Sequence, residues 1–295
     1  MCKNKINRFC RLEVSYLLSY DYEMIFLSIK QLYNYVDRIV IAIDKDFKTW
    51  SGNDFIIPDS FFERMKEIDF EEKIEFYKDF FFIPTNSPIE NESRERNLAL
   101  KKLARGWKIQ LDVDEYVYDF EELSKYLKKY WYLTLLPKFT PINFKGNLIT
   151  LFKKIDKGYL YIENKEEFAF ITNQSQNQFT RKNYKIRNIN ININVIHNSW
   201  ARDNKEIINK IKNWGHRDDF DTFEYFEFWK KLNEENYKEV NDFHPTVPSV
   251  WNRLLFLECK NEEEFIRNYS KTNLQKIVKI PFSIFLKALY NKVFK

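Results

Sequence analysis

The chain has 295 residues, of which 44% are hydrophobic and 18% aromatic, so it can bury a large core and does not have the composition of a disordered protein. Its 48 Lys and Arg residues against 43 Asp and Glu residues give a formal charge of +5, a bias too small over this length to indicate nucleic acid as a partner. Three cysteines without C-x-x-C spacing, and the lack of a visible signal peptide, favour a reducing compartment, and we expect a cytoplasmic protein.

The N-terminal part of the chain alternates strand and helix patterns. Short apolar runs predict four strands, at 12–18, 38–43, 74–82 and 107–111. Apolar residues at helical spacing predict helices between them, from about residue 22 with Asp21 as its cap, at 60–67 and at 93–103. This order implies an α/β fold with a largely parallel sheet covered on both faces, and ligands of such sheets bind at the carboxyl ends of the strands.

The fourth predicted strand runs into an acidic stretch, Asp112-Val113-Asp114-Glu115-Tyr116. On an extended chain, residues i and i+2 point to the same side, so Asp112 and Asp114 can present oxygens to one divalent cation. Such a pair suits Mg²⁺ or Mn²⁺, which leave coordination positions open for substrate phosphates. The alternative interpretation of an isolated Asp-x-Asp pattern is a pair of solvated loop carboxylates.

A second acidic residue, Asp44, follows the second predicted strand, and we expect the two strand ends to be neighbours in the sheet. A carboxylate after an early strand can accept hydrogen bonds from a ribose or base, while a metal pair after a later strand holds the attached diphosphate. The combination favours a nucleotide-diphosphate site. The motifs G-x-G-x-x-G and G-x-x-x-x-G-K-[ST] are absent from the sequence, so dinucleotide and P-loop schemes lack their phosphate-binding glycines.

The C-terminal half contains one further strand with a distinctive end. Residues 186–196 alternate apolar and polar side chains, which predicts a half-buried strand that leads into His197-Asn198-Ser199-Trp200-Ala201-Arg202. Helices are predicted at 205–214 and 222–232. Trp200 and the aromatic second helix either form a platform for a sugar or pack in the core.

We expect one domain over residues 1–250 and a helical C-terminal extension over 251–295. No window of 18 uninterrupted apolar residues occurs, so no transmembrane helix is predicted. From residue 271 onward the extension carries lysines and no acid around an apolar stripe that follows Pro281. It either contacts an anionic membrane surface peripherally or packs as a terminal helix on its own domain.

Over residues 10–250 the order of motifs resembles that of family 2 glycosyltransferases with the GT-A (nucleotide-diphospho-sugar transferase) fold. The resemblance is carried by Asp44, Arg96-Asn97-Leu98-Ala99-Leu100, the stretch from Asp112 to Tyr116, and His197-x-x-Trp200-x-Arg202. Trp214-Gly215-His216 and Phe243-His244-Pro245 also resemble bacterial members that act on surface polysaccharides. The chain departs from the family at Ile43-Asp44-Lys45-Asp46, where Asp-Asp-Gly-Ser is commoner.

The resemblance implies a metal-dependent, inverting transfer of a sugar from a nucleotide-diphosphate donor to a glycan or lipid-linked acceptor. It implies that Asp44 contacts the nucleoside and that Arg96 assists the base or the diphosphate. Glu115 is assigned to the same nucleotide site. Arg202 either reaches the diphosphate or pairs with an acid.

The resemblance also implies a metal centre for Mn²⁺ or Mg²⁺. Asp114 would coordinate the cation, and Asp112 would touch the ribose or the metal. His197 would add a neutral imidazole nitrogen, which suits Mn²⁺.

Inversion at an anomeric carbon requires a carboxylate that removes the proton of the acceptor hydroxyl. Four side chains are candidates for this base, and the sequence does not choose among them: Glu166, Glu167, Asp218 and Asp219.

Two other functions stay open at this level. A sugar nucleotidyltransferase on a similar sheet would carry a glycine-rich loop after the first strand, and Leu18-Ser19-Tyr20-Asp21 offers none. A non-catalytic carbohydrate- or nucleotide-binding module is disfavoured by the presence of Asp112, Asp114 and His197.

Overall fold

A computed structural model describes residues 11–213, 219–283, 286 and 290, without the side chains of 163–165. The strands are β1 (Leu12–Leu18), β2 (Arg38–Asp44), β3 (Ile74–Asp79), β4 (Trp107–Asp112), β5 (Glu115–Val117), β6 (Ile142–Ile155), β7 (Gly158–Thr172), β8 (Arg187–His197) and β9 (Leu255–Glu258). The helices are α1 (Ile25–Leu32), α2 (Asp59–Ile68), α3 (Pro88–Lys102), α4 (Phe120–Lys129), α5 (Asn204–Asn213), α6 (Thr222–Lys231) and α7 (Glu262–Thr272). Short 3-10 helices occur at Tyr22–Met24, Tyr33–Tyr35, Trp131–Thr134 and Tyr237–Glu239.

The strands of the described residues form one sheet in the order β3-β2-β1-β4-β7-β6-β8-β5, and β9 pairs with β7. Its N-terminal part is parallel, because β1 pairs in parallel with both β2 and β4, and β2 with β3. All of β1 is buried. Val14 and Tyr16 pack in one hydrophobic cluster with α1, whereas Leu17 packs in another with Ala99 of α3. A strand covered on both faces reads as a continuous apolar run, which is why its position was predictable.

The C-terminal part of the sheet is mixed. In the chain as described, β4–β7, β6–β7, β5–β8 and β7–β9 are antiparallel, and β6–β8 is parallel. The expectation of a mostly parallel sheet therefore holds for β1 to β4 only. The reason is local, since β6 and β7 are joined by the two-residue turn Asp156-Lys157, and a connection this short can join only antiparallel neighbours.

Helix α3 begins at Pro88, earlier than the predicted start at residue 93. The side chain of Ser87 caps the helix, and the Glu90 carboxylate accepts the Ser87 backbone N–H at 2.8 Å, which completes a capping box. Pro88 occupies the first turn, where its missing N–H costs nothing. The longer helix carries Glu95 and Arg96 to the end of the sheet where β2 and β4 terminate.

The predicted C-terminal extension takes part in the sheet and in the core. It contains a strand, β9, as well as helix α7, so it is not purely helical. Phe265 of α7 packs on Tyr161 of β7 at 5.3 Å between ring centroids. After α7, the Ile280 N–H donates to the Tyr130 hydroxyl at 2.9 Å.

Most of the segment that follows Pro281, on which the membrane-surface prediction depends, lies outside the described residues. None of the helices in the described ranges is both long enough and apolar enough to cross a membrane.

Candidate functional site

A cavity of about 280 Å³ lies where β1, β2 and β4 end. Asp44 and Asp112 both line it, but β1 separates their strands, so they are not on adjacent strands as expected. The location is the one at which open α/β sheets bind ligands.

Asp44 is held by the backbone of two loops. Its Oδ1 accepts the N–H groups of Asp46 and Lys48 at 3.0 and 3.1 Å, and its Oδ2 accepts those of Phe81 and Phe82 at 2.8 and 3.0 Å. The side chain is 4% exposed. Both oxygens thus accept backbone hydrogen bonds, so Asp44 anchors two loops, and its contact with a nucleoside stays a prediction.

Strand pairing brings His197 beside Asp114. Glu115 at the start of β5 pairs with His197 at the end of β8, and the Asn198 N–H donates to the Asp114 carbonyl at 2.9 Å. His197 Nε2 consequently lies 3.6 Å from Asp114 Oδ2, and both side chains line the cavity. The sequence analysis placed Asp114 and His197, which are distant in sequence, in one site.

Arg202 is buried beside two carboxylates that line the cavity. Its Nη2 lies 2.5 Å from Asp114 Oδ2, and its Nη1 lies 3.3 Å from Asp21 Oδ2. Burial opposes ionisation of Asp114, but His197 and Arg202 hold the pKa of its carboxyl far below the usual range. Of the two roles left open for Arg202, the structure shows the pairing with acids.

Asp21 does not cap a helix as predicted. Its side chain makes no capping hydrogen bond, and a 3-10 turn at Tyr22–Met24 precedes α1. Burial raises the pKa of the Asp21 carboxyl, and the Arg202 guanidinium opposes that rise. Asp21 therefore belongs to the cavity and not to the helix end.

Two further arginines hold the rest of the acidic stretch. Arg96 Nη2 lies 2.8 Å from Asp112 Oδ1, and Arg181 meets Glu115 through two contacts of 2.7 and 2.8 Å. The Glu115 side chain is 0% exposed, and its Oε2 also accepts the Asp112 N–H at 3.0 Å. Although burial opposes ionisation, Arg96 and Arg181 lower the pKa of Asp112. Glu115 is therefore a buried partner of Arg181 outside the cavity lining, and its assignment to the nucleotide stays a prediction.

The predicted set of three metal ligands is not assembled. Among the described residues, no group of three or more His, Cys, Asp and Glu side chains is placed to hold a metal ion. The reason is that Arg96 and Arg181 engage Asp112, whereas Asp114 and His197 meet each other. The Asp114 carboxylate suits Mn²⁺ or Mg²⁺, whereas the His197 imidazole suits a transition metal better than Mg²⁺, and substrate phosphates would have to supply further ligands.

The structure separates the four candidate bases. Glu166 is exposed and lines the cavity. Glu167, the next residue of β7, lies within 3.4 Å of Lys145 and is not part of the lining, as expected for adjacent strand residues that point to opposite faces. Asp219 follows in a bend that does not line the cavity, and Asp218 lies outside the described residues.

Trp200 is a core residue that also borders the cavity. It is 1% exposed and packs edge-on against Tyr225 at 5.1 Å. The aromatic helix α6 buries Tyr225 and Trp229, whereas Phe223 is exposed. The sequence left open whether these aromatic residues form a platform for a sugar or pack in the core, and the structure shows core packing for Trp200.

Among the titratable residues of the lining that the sequence analysis missed, two have strongly shifted pKa values. Glu95 accepts a hydrogen bond from Trp50 Nε1 at 2.6 Å, and burial raises the pKa of its carboxyl to about 8. Lys210 lies on α5, and burial lowers the pKa of its ammonium to about 8. Helical periodicity could have indicated Lys210, since it lies between Ile207 and Ile211 of the buried face.

No known family model matches the chain, and no curated protein matches it. Among solved structures, a mannosyltransferase from Pyrobaculum calidifontis, determined with GDP-mannose and Mn²⁺, is similar at a TM-score of 0.40 and 11% identity, over 69% of this chain and 61% of that one. A mannose-6-phosphate isomerase from Helicobacter pylori is similar at a TM-score of 0.31 and 15% identity, over 52% of this chain and 55% of that one. The chain thus spans less than two thirds of the length of either protein.

Proposed function

We propose that the protein is a metal-dependent, inverting glycosyltransferase that takes a sugar from a nucleotide-diphosphate donor. The observation that carries the proposal is the meeting of Asp114 and His197, 3.6 Å apart at the strand-end edge of the sheet and inside a cavity. Acid and imidazole from separate segments converge where an open α/β sheet binds its ligand. The order of motifs in the sequence extends the proposal to family 2 enzymes of the bacterial surface-polysaccharide type.

Asp114 and His197 are the residues proposed to hold Mn²⁺ or Mg²⁺. A divalent cation there would neutralise negative charge that develops on the departing diphosphate. Although burial opposes ionisation, the Arg202 guanidinium lowers the pKa of the Asp114 carboxyl, so it is a competent oxygen ligand at neutral pH. Asp112, held by Arg96 and Arg181, is proposed to contact the ribose.

Glu166 is the proposed base. Among the candidate bases that the structure describes, it is the carboxylate that lines the cavity and faces solvent, so an acceptor hydroxyl can reach it. We propose a glycan or a lipid-linked sugar as the acceptor. The basic C-terminal segment is proposed to hold the enzyme at the cytoplasmic face of a membrane, where such acceptors lie.

Nucleotide binding tests the metal site. With Mn²⁺ present, UDP or GDP at 100 times its dissociation constant should stabilise the wild-type protein by about 2.7 kcal/mol in thermal unfolding. Asp114→Asn should lose the metal-dependent part of this stabilisation. Glu63→Gln, which removes an exposed carboxylate on α2, should retain all of it. Failure of both nucleotides to stabilise the wild-type protein with either metal would refute the proposed function.

Turnover separates an enzyme from a binding module. Incubation with a panel of nucleotide sugars should release free sugar slowly from one donor and transfer it once an acceptor is supplied. Glu166→Gln should lower the rate of transfer at least about 100-fold and leave nucleotide binding intact, because general bases contribute 10²–10⁴-fold. Nucleotide binding without sugar release from any donor would favour the binding module.

A further inference from the structure

The basic side chains of the cavity differ in whether a carboxylate already pairs with them. The described part of the lining contains four Lys and Arg residues, namely Lys48, Arg96, Arg181 and Lys210. Three are paired, at 2.5 Å for Lys48 with Asp54, 2.8 Å for Arg96 with Asp112 and 2.7 Å for Arg181 with Glu115. A lysine or arginine that is already paired with a carboxylate attracts an anionic ligand less strongly than an unpaired one does.

Lys210 is the exception. No carboxylate of the described residues lies within 4.0 Å of its ammonium, although Asp114, Asp21 and Asp112 attract it from farther away. Its helix is anchored by Ile207 and Ile211, which are buried, so the side chain is directed from a fixed position.

The environment of Lys210 favours an incoming anion. Burial, and secondarily the nearby Arg202, lower the pKa of the ammonium to about 8, which shows that its charge lacks full compensation from the protein. A phosphate oxygen would supply that compensation through a charge-assisted hydrogen bond. A lysine suits this task, because its ammonium is a compact charge with three donors that can follow a moving group.

We propose that Lys210 binds the diphosphate of the donor and stabilises it as it leaves. The inference rests on the proposed function and names a residue of the same site. In the transfer, the bond between the anomeric carbon and the diphosphate oxygen breaks with its electron pair on that oxygen. The acceptor oxygen forms the new bond to carbon, and its proton passes to Glu166. Lys210 stays protonated throughout and donates a hydrogen bond to the diphosphate.

The test compares Lys210→Met, Lys210→Arg and a matched control, Lys205→Met. Lys205 lies on the same helix but is exposed and outside this cavity. Calorimetry with Mn²⁺ gives the dissociation constants of UDP, GDP, UMP and GMP for each protein.

Lys210→Met should weaken binding of the preferred diphosphate about 10- to 100-fold, the usual range for a hydrogen bond to a charged group. Binding of the monophosphate should change far less. Lys210→Arg should restore most of the diphosphate affinity, and Lys205→Met should match the wild-type protein.

Unchanged diphosphate affinity in Lys210→Met, or an equal loss for the monophosphate, would overturn the role of Lys210 and leave the proposed function intact. Failure of the wild-type protein to bind any of the four nucleotides would instead overturn the proposed function. Thermal unfolding without ligand identifies a variant that does not fold, and the pH dependence of diphosphate binding, which Lys210→Arg should remove, then still tests the role of Lys210.

Discussion

Two acidic strand ends border the same cavity and are held in different ways. Asp44, at the end of β2, accepts four backbone N–H groups from two loops. Asp114, between β4 and β5, meets the side chains of Arg202 and His197. Backbone donors cannot turn away without rearranging their loops, whereas side chains can change rotamer and exchange partners. The partners of Asp44 are therefore fixed by the backbone, whereas those of Asp114 are side chains.

The largest effect of a substitution is expected at Asp44. Asp44→Ala leaves four N–H groups of two loops without their acceptor and should lower the free energy of unfolding by about 4 kcal/mol, since each unsatisfied buried group costs about 1–3 kcal/mol. Urea unfolding measures this loss. The control is Asp46→Ala, which keeps the backbone donor and removes an exposed side chain, so it should change stability by less than about 0.5 kcal/mol. Equal losses in both variants would show that Asp44 does not anchor the loops.

A slightly smaller loss is expected when the buried pair of Glu115 and Arg181 is broken. Glu115→Gln removes the nearer charged partner of the Arg181 guanidinium and leaves it only Asp112 at 3.5 Å, so it should lower the free energy of unfolding by about 3 kcal/mol. Glu121→Gln breaks an exposed pair with Lys125 and should cost less than about 1 kcal/mol. A loss below that of the control would mean that side-chain pairing does not hold the acidic stretch in place.

The free energy of unfolding should depend on pH through Glu95, which also lines the cavity. Its pKa rises from 4.5 to about 8 on folding, so the folded state keeps a proton that the unfolded state releases. The associated stability is complete below about pH 4.5 and is lost as pH rises from there through about 8, by about 5 kcal/mol in all. Glu95→Gln keeps an acceptor for Trp50 and should remove this slope in urea unfolding at pH 5 and pH 8. A slope that persists in the variant would assign the proton to another group.

The smallest effect is expected in the pH dependence of nucleotide binding. Diphosphate affinity should fall by about tenfold between pH 7 and pH 9, because Lys210 loses its proton as pH passes about 8. Lys210→Arg should remove this fall, since a guanidinium stays charged in that range. Any part that comes from Asp21, Asp112, Asp114 or Arg202, the charged groups that act on Lys210, would remain in the variant. A fall of equal size in Lys210→Arg would exclude the lysine as its cause.

Much of the N-terminal half was predictable, because β1, β2 and β4 are buried on both faces and read as apolar runs. The predicted strand at 12–18 is confirmed, and those at 38–43 and 107–111 each extend by one residue. The third strand ends at Asp79 and not at Phe82, because Phe81 and Phe82 turn their N–H groups to Asp44. That contact joins two loops, and no local pattern indicates it.

Part of the site was also predictable from the sequence. Asp114 was selected by its position after a strand and His197 by the resemblance to a glycosyltransferase family, and the pairing of β5 with β8 brings them together. Arg181 was missed because it lies in an irregular segment after Thr180, where no periodicity marks it. Its two contacts with Glu115 depend on the path of that segment across the sheet.

The amino-acid sequence by itself determined the alternation of strands and helices and the strand-end position of the acidic residues, because both follow from local periodicity. Only the tertiary structure decided which carboxylate meets which partner. Asp44 accepts hydrogen bonds from backbone N–H groups, Asp112 and Glu115 pair with arginines, and Asp114 lies beside an arginine and an imidazole. The physical reason is that hydrogen bonds and ion pairs act over a few ångströms, and the fold alone places residues distant in sequence within that range.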